Sequence, residues 1–261
     1  MDEASPTRSS APEPSAEPLR PLVFYEQRDI LENYWQLRNR LDGPKLAIEE
    51  PAVLAFMGDL RNRNLLDLGC GDARLGREAL RRGARSYVGL DGSREMVGIA
   101  QRTLAGTAGE IRFQDLESWM GDSGASFDVI TSQLALQYVE NLAGVFKAVR
   151  AQLQPKGLFV FSVEHPIITA SYEGDTTCGI ATNWRVHGYF REGARIHRWL
   201  NSAVVKQHRT LETYMSELCR CGFQLVGFSE GRPDADSFAD RNAYELRLEV
   251  PLCMIFCCTP A

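Results

Sequence analysis

The chain has 261 residues with 44% hydrophobic and 24% charged side chains, an ordinary globular composition that suits one α/β domain of about 240 residues folding without disulfides or metal. A net charge of −5 argues against a nucleic-acid partner, which needs clustered Lys and Arg. Seven irregularly spaced cysteines suit a reducing cytoplasm, where the protein is expected.

Residues 1–21 hold five of the twelve prolines and almost no large apolar side chain, so a disordered tail is expected there. Asp2, Glu3, Glu13 and Glu17 make it too acidic for a mitochondrial presequence. Folded sequence begins near Leu22. Over 24–40 the spacing sets Ile30, Leu31, Tyr34, Trp35 and Leu37 on one helical stripe, and a second helix follows Gly43-Pro44. Strands and helices then alternate: strand 64–68, helix 73–82, strand 86–91, helix 93–104, strands 111–114 and 127–131, helix 142–153, strand 157–163. That alternation predicts a parallel sheet covered on both faces.

The pattern breaks at residue 164. Residues 164–208 lack a helical period and collect Tyr172, Trp184, Tyr189, Phe190 and Trp199 with His187, His197, His208, Arg185, Arg195 and Arg198. A long irregular insertion in a compact domain is usually functional, and 167–208 is expected to be a substrate lid for a flat or partly apolar molecule bearing an anionic or hydroxyl group. A helix over 210–221 and strands over 223–229 and 246–258 close the chain. Cys219-Arg220-Cys221 and Cys257-Cys258 lack zinc-ligand spacing, so no metal site is expected. The longest apolar run, Val250 to Cys258, is far short of the ~20 residues a membrane span needs.

The first strand runs into LLDLGCGDARLG, residues 65–76, a glycine turn at a helix N-terminus and hence a place for a nucleotide-like ligand. A dinucleotide fingerprint wants a third glycine where this chain has Arg74. Asp67 and Asp72 flank the turn; two carboxylates would repel a pyrophosphate and favour a cation such as the sulfonium of S-adenosylmethionine. Asp91, at the end of the second strand, can accept hydrogen bonds from ribose hydroxyls, which both ligands possess. The third strand ends in Gln114-Asp115-Leu116, where a carboxylate could accept from an adenine amino group.

Residues 65–76, 87–100 (YVGLDGSREMVGIA), 111–116 and 127–140 (FDVITSQLALQYVE) together resemble a class I S-adenosylmethionine-dependent methyltransferase, most similar to the small-molecule group typified by ubiquinone- and menaquinone-biosynthesis methylases. The resemblance covers 60–165 well and the last two strands loosely. It implies a Rossmann-like doubly wound α/β fold with seven strands, the last antiparallel. It also implies S-adenosyl-L-methionine as cofactor, surrounded by Asp67, Gly69, Cys70 and Gly71 at the methionine part. Asp91 would take the ribose, Ser93 and Met96 the adenine side, and Asp115 and Leu116 the adenine edge. Ser132 and Gln133 would lie near the sulfonium and the substrate. Gln137, in ALQYV, stands where many relatives carry a histidine.

Methyl transfer to oxygen or nitrogen releases a proton, so a base helps. Glu164 and His165 directly follow the fifth strand at the carboxyl edge of the sheet, where open α/β sheets bind ligands, and are the catalytic candidates together with Gln137. A structural role for His165, shaping the turn before Pro166, has equal standing. The N-terminal helix, with Tyr25, Tyr34 and Arg38, is expected to close over the cofactor; Arg38 could reach its carboxylate, although a solvated arginine is the simpler expectation. Tyr138 could orient a substrate, although packing on a helix face is the simpler expectation. The place after the fourth strand reads SQLALQY, without the Pro-Pro-aromatic motif of enzymes that methylate nucleic-acid amines. The resulting expectation is a metal-independent methyltransferase acting on a small molecule. The alternatives are a nicotinamide oxidoreductase and a non-catalytic S-adenosylmethionine-binding protein.

Overall fold

The computed structural model describes residues 19, 21–38, 45–121, 124, 126–172, 176–177, 180–181, 185–200 and 202–261. Most of the proline-rich tail, and Trp184 of the insertion, lie outside the described residues. Among the described residues seven strands form one sheet. In chain order they are β1 Asn64–Leu68, β2 Ser86–Asp91, β3 Gly109–Phe113, β4 Phe127–Gln133, β5 Leu153–Glu164, β8 Phe223–Ser229 and β9 Cys253–Pro260, with β6 and β7 in a separate hairpin described below. The order across the sheet is β8-β9-β5-β4-β1-β2-β3. The pairs among β1 to β5 are parallel, and β9 runs antiparallel to both β5 and β8. This is the expected doubly wound arrangement.

Strands with alternating apolar residues divide the core between the two faces of the sheet. Leu66, Leu68, Ile130, Phe159 and Phe161 point to one face. There α5 (Leu142–Gln152) and α6 (Leu211–Arg220) cover them with Phe146, Val149, Tyr214 and Leu218. Leu65, Val129, Val160 and Ile255 point to the other, under α2 (Glu50–Met57) and α3 (Arg74–Arg81). Helix α1 (Arg28–Arg38) buries Ile30 and Leu31 and leaves Tyr34 and Trp35 half-buried. A π-turn over Lys45–Glu49 leads into α2, so the helical signal after Gly43-Pro44 is real but begins irregularly. Helix α4 (Arg94–Thr103) returns from β2 to β3.

Two expectations require correction. The final strand was expected over 246–258, but Arg241–Leu248 is a helix, α7. Its start is capped by Asp240, whose side chain accepts the Asn242 amide, and an Arg241–Glu245 pair one turn apart supports it. Pro251 then separates the helix from β9. The insertion was expected to be irregular, yet β6 (Gly193–Trp199) and β7 (Ser202–His208) form a regular antiparallel hairpin. Its period is two: Val204, Lys206 and His208 are buried, while Ala194, Ile196 and Arg198 are exposed.

The chain turns to opposite sides of β1 after β3, so the carboxyl ends of β1 and β4 flank a topological switch point. The cleft described next lies there.

Candidate functional site

Beyond β1 the chain makes its turn through Gly69 and Gly71, with φ of +72° and +56°. The amides of Gly69 and Cys70 both donate to the Leu90 carbonyl, at 2.8 and 2.9 Å, tying the loop to β2. A side chain at Gly69 would place its Cβ 2.4 Å from that of Ala135, so the positive φ and the close approach both require glycine. Helix packing falls to Gly76, two residues past the expected third glycine. A Cβ there would come within 2.3 Å of the Tyr87 ring, whose hydroxyl donates to Asp67 Oδ2 at 2.7 Å.

Asp91, at the end of β2, accepts the Gly71 amide at 2.8 Å and the Ser93 amide at 2.9 Å, so its carboxylate is held in one orientation. Burial raises its pKa above the ordinary aspartate value, opposed by those two amides. Ser93 caps α4 by accepting the Met96 amide, and its hydroxyl donates to the Tyr25 carbonyl at 3.1 Å. After β3, Asp115 Oδ1 accepts the Glu117 amide, while the Glu117 carboxylate accepts the amides of Glu140 and Asn141.

These groups line one cleft of about 500 Å³, in the usual range for a small-molecule site. Gly69, Gly71, Asp91, Ser93, Met96, Asp115, Leu116 and Gln133 all face it, as do Tyr25, Tyr34 and Tyr138. The charged residues of its lining are Asp91, Asp115, Glu117 and Glu140; none of the described lining residues is cationic. The hairpin contributes Ala194, Val205 and Gln207 along the same cleft.

The remaining candidates sit behind the lining. Asp67 is buried on the Tyr87 hydroxyl. Cys70 is buried against Gly89, and burial pushes its thiol well up, as befits a small apolar filler. Ser132 is buried and donates to the Leu68 carbonyl at 2.7 Å, joining β4 to β1. Gln137 turns back on its own short helix, with Nε2 donating to the Leu134 carbonyl at 2.7 Å.

His165 caps the helical turn Pro166–Thr169: its Nδ1 accepts the Ile167 amide at 3.2 Å, and its Nε2 lies 3.3 Å from Glu230. Burial lowers its pKa against the pull of Glu230. Glu164 pairs at 2.6 Å with Lys206 of β7, a lysine buried between the rings of Trp199 and Tyr138 at 5.2 and 5.9 Å.

Asp72 and Arg38 depart from expectation. Asp72 is buried with Arg38 at 3.0 and 3.2 Å and Arg74 at 2.8 Å, so its charge is spent on two arginines and is not offered to a ligand. Arg38, expected in solvent, is the buried clamp that fastens α1 over the glycine loop. The argument for a cationic ligand from carboxylates flanking the turn therefore loses Asp72; the acidic lining of the cleft supplies another.

Tyr25 and Tyr34 line the cleft over which the N-terminal segment was expected to close, and Tyr138 joins them there, a meeting that the sequence reading did not foresee. Tyr25 stands edge-on to both others, with ring centroids 5.8 Å from Tyr34 and 6.2 Å from Tyr138. Its hydroxyl is 3.4 Å from that of Tyr138. Burial pushes the Tyr25 hydroxyl up to about 12 and raises those of Tyr34 and Tyr138 further, so all three stay protonated near neutrality. Tyr138 lies within the 127–140 motif, whereas Tyr25, in a turn, and Tyr34, in α1, come from the N-terminal segment more than 100 residues away, and no local pattern announces that the three meet.

Residues 65–157 match the family described as "Methyltransferase domain". The crystal structure of an S-adenosylmethionine dependent methyltransferase from Mesorhizobium loti superimposes with a TM-score of 0.75 at 33% identity, covering 84% of this chain and all of that one. An uncharacterized protein from Haemophilus influenzae is 31% identical over 80% of this chain and 86% of its own length. A ubiquinone biosynthesis O-methyltransferase from Aeromonas salmonicida is 29% identical over 102 residues, and the matched region is less than half of that enzyme, 42%. These likenesses remove the nicotinamide alternative and agree with the doubly wound sheet and its switch-point cleft: the chain belongs to the class I S-adenosylmethionine-dependent methyltransferases.

Proposed function

We propose that this methyltransferase places the methyl group of S-adenosylmethionine on an oxygen or nitrogen of a small-molecule acceptor, by in-line displacement and without a metal. The observation that carries the reading is the single cleft that gathers Gly69, Gly71, Asp91, Ser93, Met96, Asp115, Leu116 and Gln133. Its residues fit the cofactor. The carboxylate of Asp91 ends β2 and that of Asp115 follows the neighbouring β3, where ribose hydroxyls and an adenine amino group need acceptors, and the described lining carries no cation to repel a sulfonium. When bound, S-adenosylmethionine supplies a methyl group already activated for displacement.

The chain's own residues then have to orient and enclose. Asp91 would hold the ribose, Ser93 and Met96 would border the adenine side, and Gln133 would stand near the sulfonium. Tyr25 and Tyr34 from the N-terminal segment, with Tyr138, would close the cleft and exclude water, and alignment is where the rate enhancement would arise. The insertion 167–208 would cover the acceptor, for which the hairpin residues along the cleft speak. Glu164 and His165, engaged with Lys206 and with a helical turn, are better read as positioning residues than as the base. The likeness to ubiquinone biosynthesis O-methyltransferases favours a small-molecule acceptor.

The test is calorimetric titration with S-adenosylmethionine, S-adenosylhomocysteine and NADH, on the wild type and on Asp91→Ala. Micromolar binding of the two adenosyl ligands, weakened at least tenfold in the variant and absent for NADH, is expected. Unchanged binding by Asp91→Ala would remove Asp91 from the ribose site.

A further inference from the structure

We propose that the acceptor is an amine, held by Tyr25, Tyr34 and Tyr138 and methylated on nitrogen. The inference rests on the reading of the cleft given above and narrows its acceptor class. Three features of the lining point the same way. First, an anionic acceptor would need a cation to recognise it, and among the described lining residues there is none. The two cations behind the rings are already balanced: Arg38, 5.9 Å from the Tyr34 centroid, by Asp72, and Lys206, 5.9 Å from the Tyr138 centroid, by Glu164. None of the four arginines of the insertion is among the described lining residues: Arg185, Arg191 and Arg198 are exposed, and Arg195 donates to the carbonyls of His187, Gly188 and Arg191.

Second, Tyr25 stands edge-on to both Tyr34 and Tyr138, and the three rings open on a cleft whose described charges are all negative, Glu117 and Glu140 remaining once Asp91 and Asp115 are given to the cofactor. Ring faces and carboxylates attract an ammonium and do nothing for a carboxylate or phosphate.

Third, among its described residues the lining holds no imidazole and no amine. Gln137 occupies the place where a histidine is common and turns away, and His165 is tied into its helical turn. The tyrosine hydroxyls hold their protons. The bases of the described lining are carboxylates, too weak to help a hydroxyl of ordinary pKa much, whereas an ammonium bound there gives up its proton far more readily and then carries a free lone pair. That lone pair forms the new N–C bond as the C–S bond of the sulfonium breaks. Sulfur keeps the electron pair and becomes a thioether, and the extra proton on nitrogen passes to solvent.

The probes are benzylamine, benzyl alcohol and benzoate, titrated into protein saturated with S-adenosylhomocysteine, for the wild type, Tyr138→Phe and Tyr138→Leu. Benzylamine at pH 7 is expected to bind roughly tenfold tighter than benzyl alcohol and tighter still than benzoate. Phe at 138 should keep that preference and Leu should reduce it several-fold, while both variants still bind S-adenosylhomocysteine, which shows that they fold. Equal or tighter binding of benzoate or benzyl alcohol overturns the assignment, as does binding of none of the three by protein that holds S-adenosylhomocysteine. Failure to bind S-adenosylhomocysteine itself would overturn the reading of the cleft beneath it.

Discussion

Replacing Glu164 with Gln keeps the shape of the side chain and removes the charge that balances Lys206. The Lys206 side chain is 4% exposed and that of Glu164 17%, with 2.6 Å between their charged groups, so solvent screens the pair little. Breaking a buried pair from one side costs about 3–5 kcal/mol, against about 0–1 for an exposed one. Urea unfolding of wild type and Glu164→Gln at pH 7 should therefore show a loss of about 3–5 kcal/mol. A loss under about 1 kcal/mol would refute the buried pair. The double variant Glu164→Gln/Lys206→Met should recover much of the stability, because neither charge is then stranded.

Gly76→Ala drives a Cβ into the Tyr87 ring and should lower stability by about 1–3 kcal/mol, visible in thermal unfolding; a neutral result would mean the helix can step back. Arg38→Met leaves buried Asp72 with half-exposed Arg74 alone and loosens α1 over the glycine loop, so proteolysis within 22–38 should accelerate and S-adenosylhomocysteine should restore protection. Stability should also fall on mild acidification. Burial lowers the pKa of His165 and His208 and takes that of His197 to about 4, so the unfolded chain binds more protons than the fold below the ordinary histidine value near 6.5. The stabilisation is complete above about 6.5 and is lost as pH falls toward about 4. Denaturant midpoints that stay flat across that window would contradict the burial of these rings.

What could be read along the chain is what local pattern encodes. The runs NLLDL, SYVGLD and FVFSV are apolar on both faces and became central strands, and the loop at Gly69 and Gly71 sits where its spacing placed it. Pairings made across the fold were invisible. Arg38 meets Asp72 across 34 residues, Lys206 meets Glu164 across 42, and each converts a candidate ligand contact into an internal ion pair. The helix-packing glycine was sought at the position of Arg74, whereas the contact with Tyr87 falls to Gly76; only the register between α3 and β2 decides that. The hairpin is a different case. Alternation is present in ARIHRW and SAVVKQH, but its charges and aromatics outweighed its period and suggested an irregular lid.

The most direct measurement is a crystal structure of the complex with S-adenosylhomocysteine. The result expected puts both ribose hydroxyls within hydrogen-bond distance of the Asp91 carboxylate, the adenine edge at Asp115 and Leu116, and the thioether sulfur facing Tyr25, Tyr34 and Tyr138. A ligand bound outside this cleft, or one lying in it with the ribose away from Asp91, would contradict the assignment of the switch-point cleft as the methyl-transfer site.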